Sequence, residues 1–363
     1  MTVREYTTDS RNGQGLCYNI AVTVSLIITV RNEAKSLPRL LDSIAAQTHA
    51  PDEIVIVDGG STDATLAVLR EAATRLPLKI ISRPGANISQ GRNTAIRAAR
   101  GDIICSTDAG VRLDLCWVEE LVKPFGGGLL PKDESRRMKD EKESSSFILH
   151  PSAFAVVSGF FIPDPHGAFE TALAATTLPA LADIVPEKFL PSSRSIAFRK
   201  TAWEQVNGYP EWLDYCEDLI FDFALRGANF RFVFAPRAIA HFRPRHSLRP
   251  FCKQYYHYAR GDGKANLFFK RHLVRYGTYL IALPLVIGLT VAAPLWSIPL
   301  WLFAAAFMFY TPYKRLLPML RAFALLDRLC ALVWVPLIRV AGDIAKMIGY
   351  PVGVAWRIRN RRG

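Results

Sequence analysis

The chain has 363 residues, half of them hydrophobic, and a formal charge of +13 from 45 Lys and Arg against 32 Asp and Glu. That length leaves room for one large domain and a further segment, and the basic balance suits an anionic membrane surface or a phosphorylated substrate. Nucleic acid is set aside, because the basic residues of the polar first part lack the interleaved aromatics of a stacking platform. Cys17, Cys105, Cys116, Cys216, Cys252 and Cys330 form no CxxC pair and no metal-ligand spacing, and read as scattered reduced thiols of a cytosolic compartment.

Residues 1–22 carry charges where a signal peptide needs a continuous apolar core, and are expected to be a flexible tail. "VTVSLIITV" (22–30) is a short β-branched run of the kind buried on both faces of a parallel sheet. In "SLPRLLDSIAAQT", Leu37, Leu40, Leu41 and Ile44 recur at helical spacing, and "DEIVIVDGG" is a second buried strand, so the three make a βαβ unit. The pattern repeats through "DATLAVLREAATRL", "LKIISR", "SQGRNTAIRAARG" and "DIICSTD". This predicts a doubly wound α/β sheet with its ligands at the carboxyl ends of the strands. Residues 126–146 interrupt it with glycine, serine and mixed charge, as a disordered surface insertion would. The sheet resumes at "FAVVSGFF", and the domain is expected to run from 23 to 250.

A basic juxtamembrane segment (251–275) follows, in which "RGDGKA" reads as a glycine-jointed loop near the mouth of the site. From Tyr276 to Tyr310 no residue is charged, and Pro294 divides the run. A transmembrane hairpin over 276–312 is expected, with Lys270, Arg271 and Arg275 before it and Lys314 and Arg315 after it placing both ends in the cytosol. Residues 320–363 hold a short apolar segment, Leu329 to Ile338, followed by Asp343 and Lys346, which are costly in hydrocarbon; interfacial or re-entrant helices are expected there.

Four strand ends finish in polar residues. The first gives Thr29, Arg31 and Glu33, the second Asp58, the third Arg83 and the fourth Asp108. No GxGxxG follows the first strand, so a Rossmann dehydrogenase is excluded. Carboxylates at the sheet edge can hydrogen-bond ribose or base and hold a cation, while arginines can meet phosphate.

In the order "SLIITVRNE", "IVIVDGGSTDAT", "GANISQGRNTAIRAARGDIICSTDAG", "FLPSSRSIAFRKTAW", "VNGYPE" and "CEDLIFDFALRGANFRFVF", the chain resembles the family 2 glycosyltransferases of the GT-A fold, over about residues 23–250. The resemblance implies a nucleotide-sugar donor, a divalent metal (Mn or Mg) and an inverting transfer. Asp58 would contact the base, Arg92 and Asn93 would line the donor pocket, and Asp108 would be the first acid of the metal-binding DxD motif. The second acid of that motif is Gly110 here, and His241 stands where some relatives supply a histidine ligand. Alternatively Arg243 and Arg245 would neutralise the leaving diphosphate. Asp218 would be the catalytic base, with Glu217 orienting acceptor or helix.

Plainer roles stand beside these. Asp58 and Asp63 can cap a turn and a helix, Asp218 can be a helix N-terminal acid, His241 can make an ordinary strand-end hydrogen bond, Arg243, Arg245 and Arg249 can be a juxtamembrane basic patch, and Asp114 is expected to cap the helix "LCWVEELVKPF". Processive synthases of this family carry Q-x-x-R-W before their channel; here Gln254 is followed by His257 and Tyr258 at the Arg and Trp places. A single-addition enzyme held at the membrane, with a lipid-linked or other membrane-delivered acceptor, is therefore expected. A processive subunit or a catalytically silent scaffold is the alternative.

Overall fold

The computed structural model describes residues 22–126 and 154–360. Nearly all of the expected tail, and all but the first residue of the 126–146 insertion, lie outside the described residues. The first part alternates β1 (Val24–Val30), α1 (Leu37–Ala45), β2 (Glu53–Asp58), α2 (Thr65–Ala72), β3 (Leu78–Ser82), α3 (Ile88–Ala98) and β4 (Ile103–Asp108). After β5 (Val111–Leu113) and α4 (Trp117–Val122) come β6 (Phe154–Pro163), α5 (Ala168–Thr177), β7 (Ile196–Arg199), α6 (Lys200–Gln205), α7 (Glu217–Gly227) and β8 (Arg231–Phe242). The eight strands form one sheet in the order β3-β2-β1-β4-β7-β6-β8-β5. Its β3-β2-β1-β4 half is parallel, and β7 runs antiparallel to both β4 and β6.

The side-chain alternation of β1 explains the layering. Val24, Leu26 and Ile28 meet Leu37, Leu41, Leu69 and Trp117 on one face, and Ile27 meets Ala95, Ile96 and Phe198 on the other. With every β2 residue buried, this is a strand covered on both faces, as its continuous apolar run predicts. Each fully buried Leu or Ile here contributes about 1.5–3 kcal/mol relative to exposure. A truncation such as Leu40→Ala should cost about 2–5 kcal/mol.

A third apolar cluster joins α5 to the C-terminal helices through Leu173, Phe251, Leu316, Val335 and Ile338. Here the structure corrects the sequence reading twice. "RGDGKA" is no loop: it lies inside the 18-residue helix α8 (Leu248–Ala265). Of the interfacial or re-entrant helices expected at the C-terminus, the re-entrant form gives way to one continuous 36-residue helix, α11 (Leu325–Asn360), carrying Pro336 and Pro351 within it. Both outcomes follow from the same contact, because α8 and α11 pack backbone to backbone. A Cβ on Gly349 or Gly353 would strike the carbonyls of Tyr256 and Arg260, so these glycines serve close approach, a use that outweighs their low helix propensity.

Between α8 and α11 stand two outward-facing helices, α9 (Phe269–Ala292) and α10 (Pro294–Met319), each long and apolar enough to cross a membrane. At 1.5 Å per residue they reach about 36 and 39 Å, against a hydrocarbon core of about 30 Å. The break falls at Ala293 (φ −149°, ψ 76°) and Pro294, as expected, since proline suits the first position of a helix.

Candidate active site

The sheet brings its polar strand ends to one edge. Thr29 of β1 lies in register with Asp108 of β4 and next to Val30, whose partner on the other side is Asp58. With neighbouring strands about 4.8 Å apart, the backbones of Asp58 and Asp108 stand about 10 Å apart across β1.

Around Asp108 the side chains form a charged constellation. Buried Arg92, on α3, donates from Nη1 to Glu217 Oε1 at 2.7 Å and from Nη2 to Asp108 Oδ1 at 3.0 Å. Arg194, in the loop before β7, puts Nε 3.3 Å from Asp108 Oδ2, and its guanidinium lies over the Phe242 ring at 4.2 Å. Glu217 and Asp218 open α7, where the helix dipole favours acids, and the Leu219 N–H donates to Asp218 Oδ1 at 2.9 Å. Burial works against the charge of Arg92, but Glu217 and Asp108 more than offset it, and its pKa is raised. The two neighbouring acids move the opposite way from ordinary carboxylates in ion pairs. Burial and the charge of Asp218 push Glu217 up against the pull of Arg92, and burial with the charge of Asp108 pushes Asp218 up against Arg92 and Arg194.

The residue before this pair is held in an unusual state. Cys216 has φ 66° and ψ 15°, the left-handed region, which costs a non-glycine residue about 1–3 kcal/mol unless its surroundings fix it. One turn beyond Asp218, Asp222 is buried, its Oδ2 has no hydrogen-bond partner, and burial with the charge of Asp218 raises its pKa well above the usual value.

A second group is a lattice of loop bonds. Asp58 accepts from Gly60 N at 3.1 Å and from Ser61 N at 3.1 Å, and Asp63 accepts from Thr65 N at 3.0 Å. Asn32 N donates to Ser61 Oγ at 2.9 Å and Asn32 Oδ1 accepts from Thr62 N at 2.8 Å, tying the β1 and β2 loops together. Glu33 accepts from Ser36 Oγ, while Arg31 is exposed and Thr29 half-buried. In this lattice Asp58 and Asp63 hold turns.

Several expected contacts fall elsewhere. Asn93 is buried and spends its amide on the β7–α7 connection, accepting from Tyr209 N at 2.9 Å and Trp203 Nε1 at 3.1 Å and donating to Tyr209 O at 2.8 Å and Glu211 at 3.0 Å. Arg83 donates to Gln90 O at 3.0 Å and to Thr94, bracing α3. Arg243 is bidentate on buried Glu170, at 2.7 and 3.0 Å. Arg245 lies 3.4 Å from Gln254 Oε1. Together with Pro244 and His246, these two arginines line a recess of about 400 Å³.

His241 is not brought to Asp108. The β5–β8 register sets it opposite Arg112, and its Nε2 lies 2.8 Å from Asp114 Oδ1. Asp114 therefore makes no side-chain cap for α4, whose N-cap is Cys116. Among the described residues no group of three or more His, Cys, Asp or Glu is placed to hold a metal. Asp108 fits a dication as a single protein ligand: Oδ1 accepts from Arg92, Oδ2 only faces Arg194 across an ion pair, each oxygen keeps a lone pair, and the side chain is 28% exposed. Gly110 and His241 do not add to that set.

Sequence reasoning passed over Arg194 and Asp222. The signal for Asp222 was present, since a spacing of four from Asp218 puts both on one helix face. Arg194 carried none, because its place depends on where β7 meets β4.

The mixed sheet, with carboxylates and guanidinia gathered at its carboxyl edge, is of the GT-A kind and is followed by apolar C-terminal helices. Residues 25–128 match the Glycosyl transferase family 2 model, and this stretch is a family 2 glycosyltransferase domain. An uncharacterised glycosyltransferase of Nostoc is 41% identical over 88 residues, 24% of this chain; the match spans about a quarter (27%) of that relative's length. The succinoglycan biosynthesis protein ExoA of Rhizobium meliloti is 24% identical over 304 residues, 80% of this chain and 85% of its own. An undecaprenyl-phosphate 4-deoxy-4-formamido-L-arabinose transferase of Pseudomonas fluorescens is 31% identical over 136 residues, 36% of this chain and 39% of its own. The solved mannosyltransferase PcManGT of Pyrobaculum calidifontis, in complex with GDP-Man and Mn2+, aligns over 94% of this chain and 88% of that chain at 18% identity and TM-score 0.47.

Proposed function

We propose that the chain is an inverting glycosyltransferase held at the inner membrane, its catalytic domain in the cytoplasm, which moves one sugar from a nucleoside-diphosphate donor to a hydroxyl of a lipid-linked acceptor. The observation that carries this reading is the buried bridge Asp108–Arg92–Glu217, which fixes the start of α7 and hence Asp218 against the strand edge. In an inverting transfer the acceptor oxygen attacks the anomeric carbon from the face opposite the nucleotide. The bond to the diphosphate breaks, the diphosphate keeps the electron pair, and one carboxylate takes the acceptor's proton. Asp218 is that base. Its raised pKa brings it closer to working pH than an ordinary aspartate, which favours proton transfer.

The donor would lie along the β1 and β2 loops, where Thr29, Arg31 and Glu33 stand beside the turn held by Asp58. Arg83 and Asn93 support the wall of this pocket through their protein contacts, and Glu217 orients α7. Arg245, with Arg243 behind it on Glu170, would meet phosphate at the basic recess. A divalent ion, manganese or magnesium, would be held through Asp108 and, when bound, supplies charge that neutralises the departing diphosphate. The apolar outer faces of α9 and α10, with basic residues at both ends, support a membrane hairpin. The undecaprenyl-phosphate transferase relative supports a lipid-borne acceptor.

The test is nucleoside diphosphate release by the detergent-purified chain across UDP-, GDP- and dTDP-sugars, with manganese, magnesium or chelator and a membrane lipid extract, beside Asp218→Asn. Turnover of one donor that needs Asp218 is expected. Release of long polymer would favour a processive synthase, and donor binding without turnover would favour a silent scaffold.

A further inference from the structure

A chain of polar contacts runs from the residue before the acid pair, through α8 and α9, to α11. It starts at Cys216, whose thiol lies 3.4 Å from both the Tyr258 carbonyl and Asp262 Oδ1, either of which accepts its proton. Asp262, inside α8, has its other oxygen 3.0 Å from His272 Nε2. His272 Nδ1 in turn lies 3.1 Å from Arg275 Nη1. A guanidinium only donates, so Nδ1 accepts, the ring proton sits on Nε2, and Nε2–H donates to Asp262. Arg275 Nε then donates to Asp343 Oδ1 of α11 at 2.7 Å, and the His272 ring stacks on Tyr350 at 3.8 Å.

Cys216, His272 and Asp343 are buried, and the Asp262 side chain is 14% exposed. The shape of α8 matches this link. Gly261 faces the strained residue, and a Cβ there would stand 2.7 Å from Tyr215 O and 2.9 Å from Cys216 Sγ. Around it the same loop is docked by the Tyr215–His257 stack at 4.8 Å and the Trp212–Trp356 stack at 5.9 Å. The left-handed conformation that aims Glu217 and Asp218 is therefore held from outside the sheet domain, by a helix whose remaining carboxylate oxygen is bonded to α9.

We propose that Asp262 is a positioning residue for the transfer step: it joins the turn that aims Glu217 and Asp218 to the first apolar helix through His272, so that the seating of α9 sets the geometry of the acid pair. This rests on the transferase reading only for its kinetic consequence; the mechanical link is independent of it.

The experiment is hydrogen exchange by mass spectrometry on the full chain in nanodiscs of phosphatidylethanolamine and phosphatidylglycerol, for Asp262→Asn, His272→Ala and His272→Gln. Amides of residues 215–221 are expected to exchange about ten-fold faster in Asp262→Asn and in His272→Ala, with β1, β2 and β4 unchanged as the check on folding. His272→Gln, whose amide N–H can reach Asp262, should restore protection. A change in His272→Ala confined to residues 266–276 would overturn the proposal, and that variant carries the test if Asp262→Asn does not fold. With a donor that turns over, Asp262→Asn should lower kcat about ten-fold and leave the donor KM within about two-fold. Loss through KM alone would overturn the kinetic part. The exchange result needs no turnover, so it stands even if the transferase reading fails.

Discussion

The sheet domain and the C-terminal helices are built with opposite polarity. In the first, Leu26, Ile54 and Ile104 are fully buried and the acids collect at one edge. In the second, Val291 and Phe307 are each 82% exposed, while Asp343 and His272 are buried. The first segment buries its apolar side chains, whereas the second turns them outward along two helices long and apolar enough to cross a membrane. The two meet at α8, where Asp262 touches both.

The largest effect that would test this division is on chemistry. Asp218→Asn should reduce transfer by about 10²–10⁴-fold while donor affinity, read by calorimetry, stays close to wild type. Equal loss of both would remove Asp218 as base. In the wild type, the rate should fall as pH drops through a pKa above the ordinary value of about 3.9, because the base must be unprotonated to act and Asp218 is raised.

Next comes the cation at the centre of the site. Arg92→Met leaves Glu217 and Asp108 without their buried partner and should cost about 3–5 kcal/mol in denaturant unfolding. A loss under about 1 kcal/mol would mean that the bridge holds nothing in place.

Phe307→Asp distinguishes the two solvents directly. At a position this exposed in water, a substitution changes stability by less than about 0.5 kcal/mol, whereas an acid near the middle of a membrane helix costs about 2.5–3.5 kcal/mol. The fraction of protein that stays in carbonate-washed membranes should fall; an unchanged fraction would show that α10 does not lie in hydrocarbon.

The smallest expected effect is at Asp222. Its pKa is raised in the fold, so the stability it contributes is complete below the unfolded value of about 3.9 and is lost as pH rises through the folded value. Asp222→Asn should therefore match wild type near pH 4 and melt about 2–4 °C higher at pH 8. Identical melting at both pH values would contradict the buried charge.

The sequence by itself determined the order of strands and helices in the first part, the polar strand ends, the apolar helix pair and the family resemblance. These are local matters: a β-branched run such as Val24–Val30 or an uncharged stretch such as Tyr276 to Tyr310 dictates its element through its own composition. Only the tertiary structure decided which strand-end residues share a site. Asp58, Asn93 and Arg83 look equally available in one dimension, yet in the fold each makes loop or helix bonds, while Arg194 and Glu217 reach Asp108 and Arg92 from far along the chain. His241 was assigned by its place in a motif and then paired with Asp114 by the β5–β8 register. The glycines of "RGDGKA" resemble a loop until α11 packs against Gly263 and the Tyr215–Cys216 turn against Gly261. Hydrogen bonds and close packing are made between segments remote in sequence, and no local pattern records which partner a polar group will find once the chain has collapsed.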